Sequence, residues 1–316
     1  MSGSFWGDPT VTTARCAAYD PATLRGALRP LLETLLAPRL PPGARVLVKP
    51  NLLRGCAPER AVTTHPELIA QVCAWLVERG CDVTVGDSPG LGSTRRNLRA
   101  CGGLEPLRAL GVHVEELKGP VPTRLASGVV VSLSRQALEA EVLLNLAKWK
   151  THVQAGLTAG VKNLFGCVVG SRKALLHVRG GHREREFAAM LASLPLALRP
   201  ALTLVDGVVA MEGDGPFHGT PKAVGYLVAG RDPYAVDARL AQATGFARLP
   251  MLDAAAALGA GGTDPERVPL AGAGLPAADA LHFKIPRKSS FTFNPIWRVL
   301  AAAAGSEERF EVARGA

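Results

Sequence analysis

At 316 residues the chain can bury a substantial core, as one large domain or two closely joined ones. Hydrophobic residues make up 47% and charged residues 20%, the make-up of an ordinary globular protein, and a net charge of +9 favours anionic partners. The arginines are scattered and no basic run interleaves with aromatics, so nucleic acid is not an expected partner.

The opening "MSGSFWGDPTVTTARC" lacks the basic-then-apolar order of a secretory leader. No apolar run reaches the roughly 20 residues that cross a bilayer. The expectation is a cytoplasmic protein with no membrane partner. Cysteines stand at 16, 56, 73, 81, 101 and 167 with no C-x-x-C pair, a spacing that supports neither a disulfide framework nor a zinc or iron–sulfur site made by this chain alone. No metal ligands are assigned.

In chain order, "ARVLVKPN" reads as a buried strand stopping at Pro50. "TTHPELIAQVCAWLVERG" reads as a helix, with a capping box from Thr64 to Glu67, Pro66 in the first turn and Gly80 closing it. "CDVTVGDSPG" is a second strand ending at Asp87, and strand–helix–strand at this spacing is the pattern of a parallel sheet. Residues 93 to 111 read as helical, "VHVEEL" and "GVVVSLS" as strands, and "VLLNLA" as a central strand. "AGLTAGVKNLFG" and "EREFAAMLASL" read as helices, "ALTLVDG" as a strand, and "AVGYLVAGRDPYAVDARLAQATG" as a strand and then a helix capped at Asp232. "LPMLDAAAALG" is the last clear helix. The expected fold is α/β: a mostly parallel sheet with flanking helices over residues 1–272, a site at the C-terminal strand ends, and an irregular extension over 273–316.

Ligands in open α/β sheets bind beyond the carboxyl ends of the strands. Lys49, Asp87 and Asp206 each end a predicted strand, and Lys148, Lys150 and His152 follow "VLLNLA" at the period of two that puts them on one face. The predicted helix at "AGLTAGVKNLFG" offers N–H groups to an anion, with Thr158 and Lys162 four apart on one face and Asn163 beside them. Cationic side chains, an amide and backbone donors make an oxyanion cradle. Lysine suits it better than arginine because its amine can shift pKa and exchange protons. His152, His177 (on a helical face with Lys173) and Glu212 are the expected proton-exchanging residues.

The segments "VLVKPNLL", "TTHPELI", "VTVGDSPG", "LLNLAKWKTHVQAGLTAGVKNLFG", "LTLVDGVVAMEGDGP" and "GRDPYAVDARLA" together resemble the domain of unknown function 362 family, over roughly residues 44 to 272. The resemblance implies an α/β domain. It also marks Lys49, Asn51, His65, Asp87, Lys148, Lys150, His152, Lys162, Asn163, Asp206 and Glu212 as motif positions, and names no reaction. Many members of the family carry a ferredoxin-like module with clustered cysteines. This chain has no cysteine after Cys167, so no iron–sulfur cluster is expected in it.

The favoured expectation is an enzyme acting on a small phosphate- or carboxylate-bearing molecule. The absence of G-x-G-x-x-G after a strand and of G-x-x-x-x-G-K-[ST] argues against ordinary nicotinamide and P-loop sites. The rivals are a ligand, metal or cofactor carrier, and a reductase fed by a separate iron–sulfur partner. A redox partner or a second copy of the chain are the protein partners left open. The tail "FKIPRKSSFTFNPIWRVL" is read either as an adaptor segment or, preferably, as packed on the main domain.

Overall fold

A computed structural model describes residues 6–170, 173, 176 and 184–286. Val- and Leu-rich runs form most of the strands: β1 (Val11–Arg15), β2 (Arg45–Pro50), β3 (Asp82–Asp87), β4 (His113–Glu116), β5 (Pro120–Arg124), β6 (Val130–Ser134), β7 (Val142–His152), β8 (Gly156–Thr158), β9 (Leu202–Glu212), β10 (Thr220–Gly230) and β11 (Leu270–Gly272). The main sheet has the order β11-β1-β10-β9-β7-β2-β3-β4, with β8 paired to β7, while β5 and β6 form a separate hairpin. Among its strands only β8 and β10 run against the rest. The fold is α/β with a mostly parallel sheet.

Alternation along the strands gives the sheet two apolar faces, each with its own core. Leu143, Ala147 and Trp149 of β7 join one cluster with Leu157, Phe165 and Tyr234. Leu144 and Leu146 join the other with Val46, Val48, Val83 and Val85. The helix Pro66–Val77 packs Leu68, Ile69, Val72, Cys73 and Leu76 into that second core. Phe283 stacks on Trp149 of the central strand β7 with ring centroids 5.5 Å apart, so the described start of the tail packs on the main domain. The rest of the tail, beyond residue 286, lies outside the described residues.

Four local readings are corrected. "AGLTAGVKNLFG" is not one helix: Leu157 and Thr158 pair with Thr151 and Lys150 in β8, followed by a single helical turn at Gly160–Asn163 and a 3₁₀ turn at Leu164–Cys167. Thr158 and Lys162 therefore share no helix face. The helix at Pro66–Val77 is capped by His65, whose Nδ1 accepts the Glu67 N–H, and not by Thr64. Thr64 instead accepts from Asn51 N and donates to Leu146 O, tying two strand ends together. Residues 93–111 split into Thr94–Ala100 and Leu104–Ala109, separated by Gly102 at φ +81°. Finally, β7 does not stop at Ala147 but carries its pairing through to His152.

Candidate functional site

The crevice of an open parallel sheet forms where successive connections leave a pair of neighbouring strands in opposite directions. Here that point lies between β2 and β7: β3 and β4 extend the sheet beyond β2, and β9 extends it beyond β7. The last β2–β7 pair is Pro50 with Leu146, so β7 runs on past its neighbour. Lys148 and Lys150 continue the alternation of Leu144 and Leu146, at the carboxyl end of the sheet. Lysines 49, 148 and 150 are each no more than 2% exposed.

Two of these lysines hold carboxylates. Lys49 Nζ lies 2.8 Å from Asp87 Oδ1 and donates to Pro50 O, while Asp87 Oδ2 accepts the Leu52 N–H. The backbone of Gly166 leans so closely on this pair that a methyl group there would collide with Lys49 Nζ and Asp87 Oδ1. Lys148 Nζ lies 2.8 Å from Asp206 Oδ2 and donates to Tyr19 Oη, which itself donates to Asp206 Oδ1 at 2.7 Å. Asp206 Oδ2 also accepts the His65 N–H, and the Tyr19 and His65 rings stack at 3.6 Å. Burial drives the Lys148 ammonium below its usual range, against the pull of Asp206. Burial likewise lowers His65 to about 4, so this imidazole is neutral near pH 7.

Lys150 is different. Its Nζ donates to two neutral oxygens, Asn51 Oδ1 at 2.9 Å and Val62 O at 2.6 Å. Among the described residues no carboxylate lies within ion-pair distance of it. Burial, then the positive charges of Lys162 and Lys148, push it down to about 7. A ladder of amides fixes its partner: Asn51 Nδ2 donates to Asn163 Oδ1, Asn163 Nδ2 to Asn145 Oδ1, and Asn145 Nδ2 to Gly160 O and Thr203 Oγ1. Half-buried Lys162 also has no acidic partner among the described residues, and burial with Lys173 lowers it to about 8. Lys173 donates to Ser88 O and is lowered to about 8, mainly by burial.

The remaining expected residues fall elsewhere. Thr158 donates its hydroxyl to Lys150 O and is a hairpin residue. His152 turns Nδ1 to the N–H groups of Gln154 and Ala155, closing the β7–β8 turn. Glu212 lies among cations, 3.2 Å from Lys222 Nζ and 3.7 Å from Lys284 Nζ, and accepts the Lys284 N–H. These bonds and charges outweigh its burial and lower its pKa, the opposite of a base poised near neutrality. His177 lies outside the described residues. No group of three or more His, Cys, Asp or Glu side chains is placed to hold a metal among the described residues.

The expected anion cradle at the helix start is filled from within. Gly160 N and Val161 N donate to the two oxygens of Asp237, at 2.7 and 3.0 Å. Asp237 was not anticipated, although an acid inside the Ala-rich helix Pro233–Thr244 is a visible anomaly. Asn145, a polar residue inside "VLLNLA", carried a similar signal. Tyr19 carried none, since its role depends on a contact 187 residues away.

Fold and site together define an α/β protein with a cluster of buried lysines and asparagines at its topological switch point. The chain matches the family described as Domain of unknown function (DUF362) over residues 46–242, and it belongs to that family. Its relative "Thylakoid-associated protein sll1697" of Synechocystis sp. (strain ATCC 27184 / PCC 6803 / Kazusa) is 41% identical over 231 residues, 72% of each chain. Among solved structures, the lactate racemase apoprotein from Thermoanaerobacterium thermosaccharolyticum aligns with a TM-score of 0.43 and 15% identity, covering 70% of this chain and 53% of that one. Among the described residues no helix is long and apolar enough to cross a membrane.

Proposed function

We propose that this protein is an enzyme that binds a small phosphate- or carboxylate-bearing molecule at the β2–β7 switch point and moves a proton with Lys150. The observation that carries the reading is the environment of Lys150: a buried amine held by two neutral oxygens, with a second unpaired lysine, Lys162, as its strongest charged neighbour. A buried cation without a counter-ion is costly, and an anion bound beside it would offset that cost. In its neutral form Lys150 has two N–H bonds, matched by Asn51 Oδ1 and Val62 O, and its lone pair is left to accept a proton. A value of about 7 suits a group that both donates and accepts near neutrality. Lys162 and Asn51, both half-buried, are the side through which a ligand approaches. His152, two residues along the strand from Lys150, is a second proton-exchanging candidate in this reading.

The rival reading, a non-catalytic ligand carrier, draws support from Glu212, whose ion pairs remove it from acid–base work. The two are separated by incubating the protein in deuterated water with a panel of phosphorylated and carboxylated metabolites and measuring deuterium uptake into each. Lys150→Arg keeps a cation but cannot release a proton at neutral pH. The enzyme reading expects ligand binding to persist in that variant while deuterium uptake falls by about 100-fold or more. Binding without any uptake in the parent protein would make it a carrier.

A further inference from the structure

We infer that the crevice takes an elongated molecule with two anionic groups, the first held between Lys150 and Lys162 and the second between Lys162 and Lys173. This rests on the proposed anion site and adds the class of ligand. Lys162 and Lys173 come from different segments, yet their ammonium groups lie 5.8 and 5.6 Å from the same Phe165 ring centroid. No carboxylate among the described residues lies within ion-pair distance of either; Lys173 is held in place by a neutral carbonyl, Ser88 O. Like charges gathered by backbone and ring contacts repel one another, and an anion between them reverses that cost.

The three lysines form a row. Lys162 and Lys173 meet at the Phe165 ring, and Lys162 is the strongest charge acting on Lys150, whereas Lys173 does not figure among those charges and itself feels Asp87, Lys49 and Glu116. A single compact anion reaches one gap in such a row and leaves the outer cation to the pull of Asp87 and Glu116, neither within ion-pair distance. The Lys150 end carries an independent sign of a missing partner. Thr63 Oγ1 is buried, in a residue 2% exposed, and has no hydrogen-bond partner. Thr63 stands between Val62, whose carbonyl takes Lys150, and Thr64, whose hydroxyl takes Asn51 N. A buried hydroxyl left unmatched is costly enough to mark a place where a ligand oxygen fits.

Calorimetric titration of the full chain at pH 7 with sulfate and with succinate tests this, because both ligands carry two negative charges and differ in how far apart they hold them. Succinate is expected to bind about tenfold more tightly than sulfate, the worth of one additional charge-assisted contact. Lys173→Ala should bring the two affinities within about twofold by weakening succinate alone, Lys173→Arg should keep the preference, and Lys162→Ala should weaken both. Circular dichroism confirms that each variant is folded, and Lys173→Gln replaces Lys173→Ala if the latter is not. Equal affinities in the parent protein, or a preference that survives loss of Lys173, overturn the two-anion inference while leaving a single-anion site standing. Failure of both ligands to bind overturns the inference and the proposed function together.

Discussion

Lys49 and Lys148 differ from Lys150 by one property, the presence of a carboxylate, and that property predicts opposite mutational effects. Lys49→Met strands Asp87 and Lys148→Met strands Asp206, each a buried charge without its partner, at a cost of about 3–5 kcal/mol. Lys150→Met removes a buried cation that no carboxylate supports, and stability should stay within about 1 kcal/mol of the parent or rise. Urea unfolding of the three variants measures the difference. A Lys150→Met protein as unstable as the other two would show that Lys150 serves the fold.

The same lysines set a pH dependence. Their folded values of about 7, 8 and 8 lie below the ordinary 10.5, so between these limits the unfolded chain binds more protons than the folded one. Stability contributed by these groups is complete above the unfolded value and is lost as pH falls through the folded values. Unfolding free energy of the empty protein should climb from pH 7 towards pH 10, and the climb should flatten in Lys150→Met/Lys162→Met. Anion binding needs the charged forms and should weaken over the same interval.

At the level of elements, the turn at Gly160–Asn163 is too short to hold itself, having fewer residues than a stable nucleus needs. Asp237 anchors it from the helix Pro233–Thr244 by taking both leading N–H groups. Asp237→Ala leaves those donors unpaired, at about 1–3 kcal/mol each, and frees the turn that carries Lys162 and Asn163. Hydrogen exchange should accelerate across residues 156–167 while β2 and β3 stay protected; unchanged exchange there would mean that the turn is fixed by other contacts. This element was the least legible in the sequence. Glycines and a four-residue spacing suggested a helix, but the hairpin pairing of Leu157 and Thr158 with β7 is a tertiary contact that local pattern does not encode. The strands through Lys49 and Asp87 were readable because an apolar run stops at a charged residue in each, whereas β9 runs on past Asp206, where the sequence placed its end, to Glu212. His65 was marked only by the family resemblance. Its capping role was hidden because Thr64-x-x-Glu67 fits the commoner cap equally well.

Across the whole molecule, the order β9-β7-β2-β3 brings segments from positions 49, 87, 150 and 163 to one cluster. The family match, residues 46–242, contains every lysine of that cluster and omits Tyr19, which reaches in from before β2 to complete the Lys148–Asp206 group. Lys49 and Lys148 brace the strand ends through their ion pairs with Asp87 and Asp206, while Lys150, Lys162 and Lys173 have no carboxylate within ion-pair distance among the described residues. The account therefore stands on one property, an anion site made by lysines that the fold itself does not neutralise. Its most direct test is thermal unfolding at pH 7 with and without sulfate, in the parent protein and in Lys150→Met/Lys162→Met. Sulfate should raise the midpoint of the parent, because it binds the folded state alone, and should leave that of the folded double variant unchanged. An equal sulfate shift in both proteins would contradict the account.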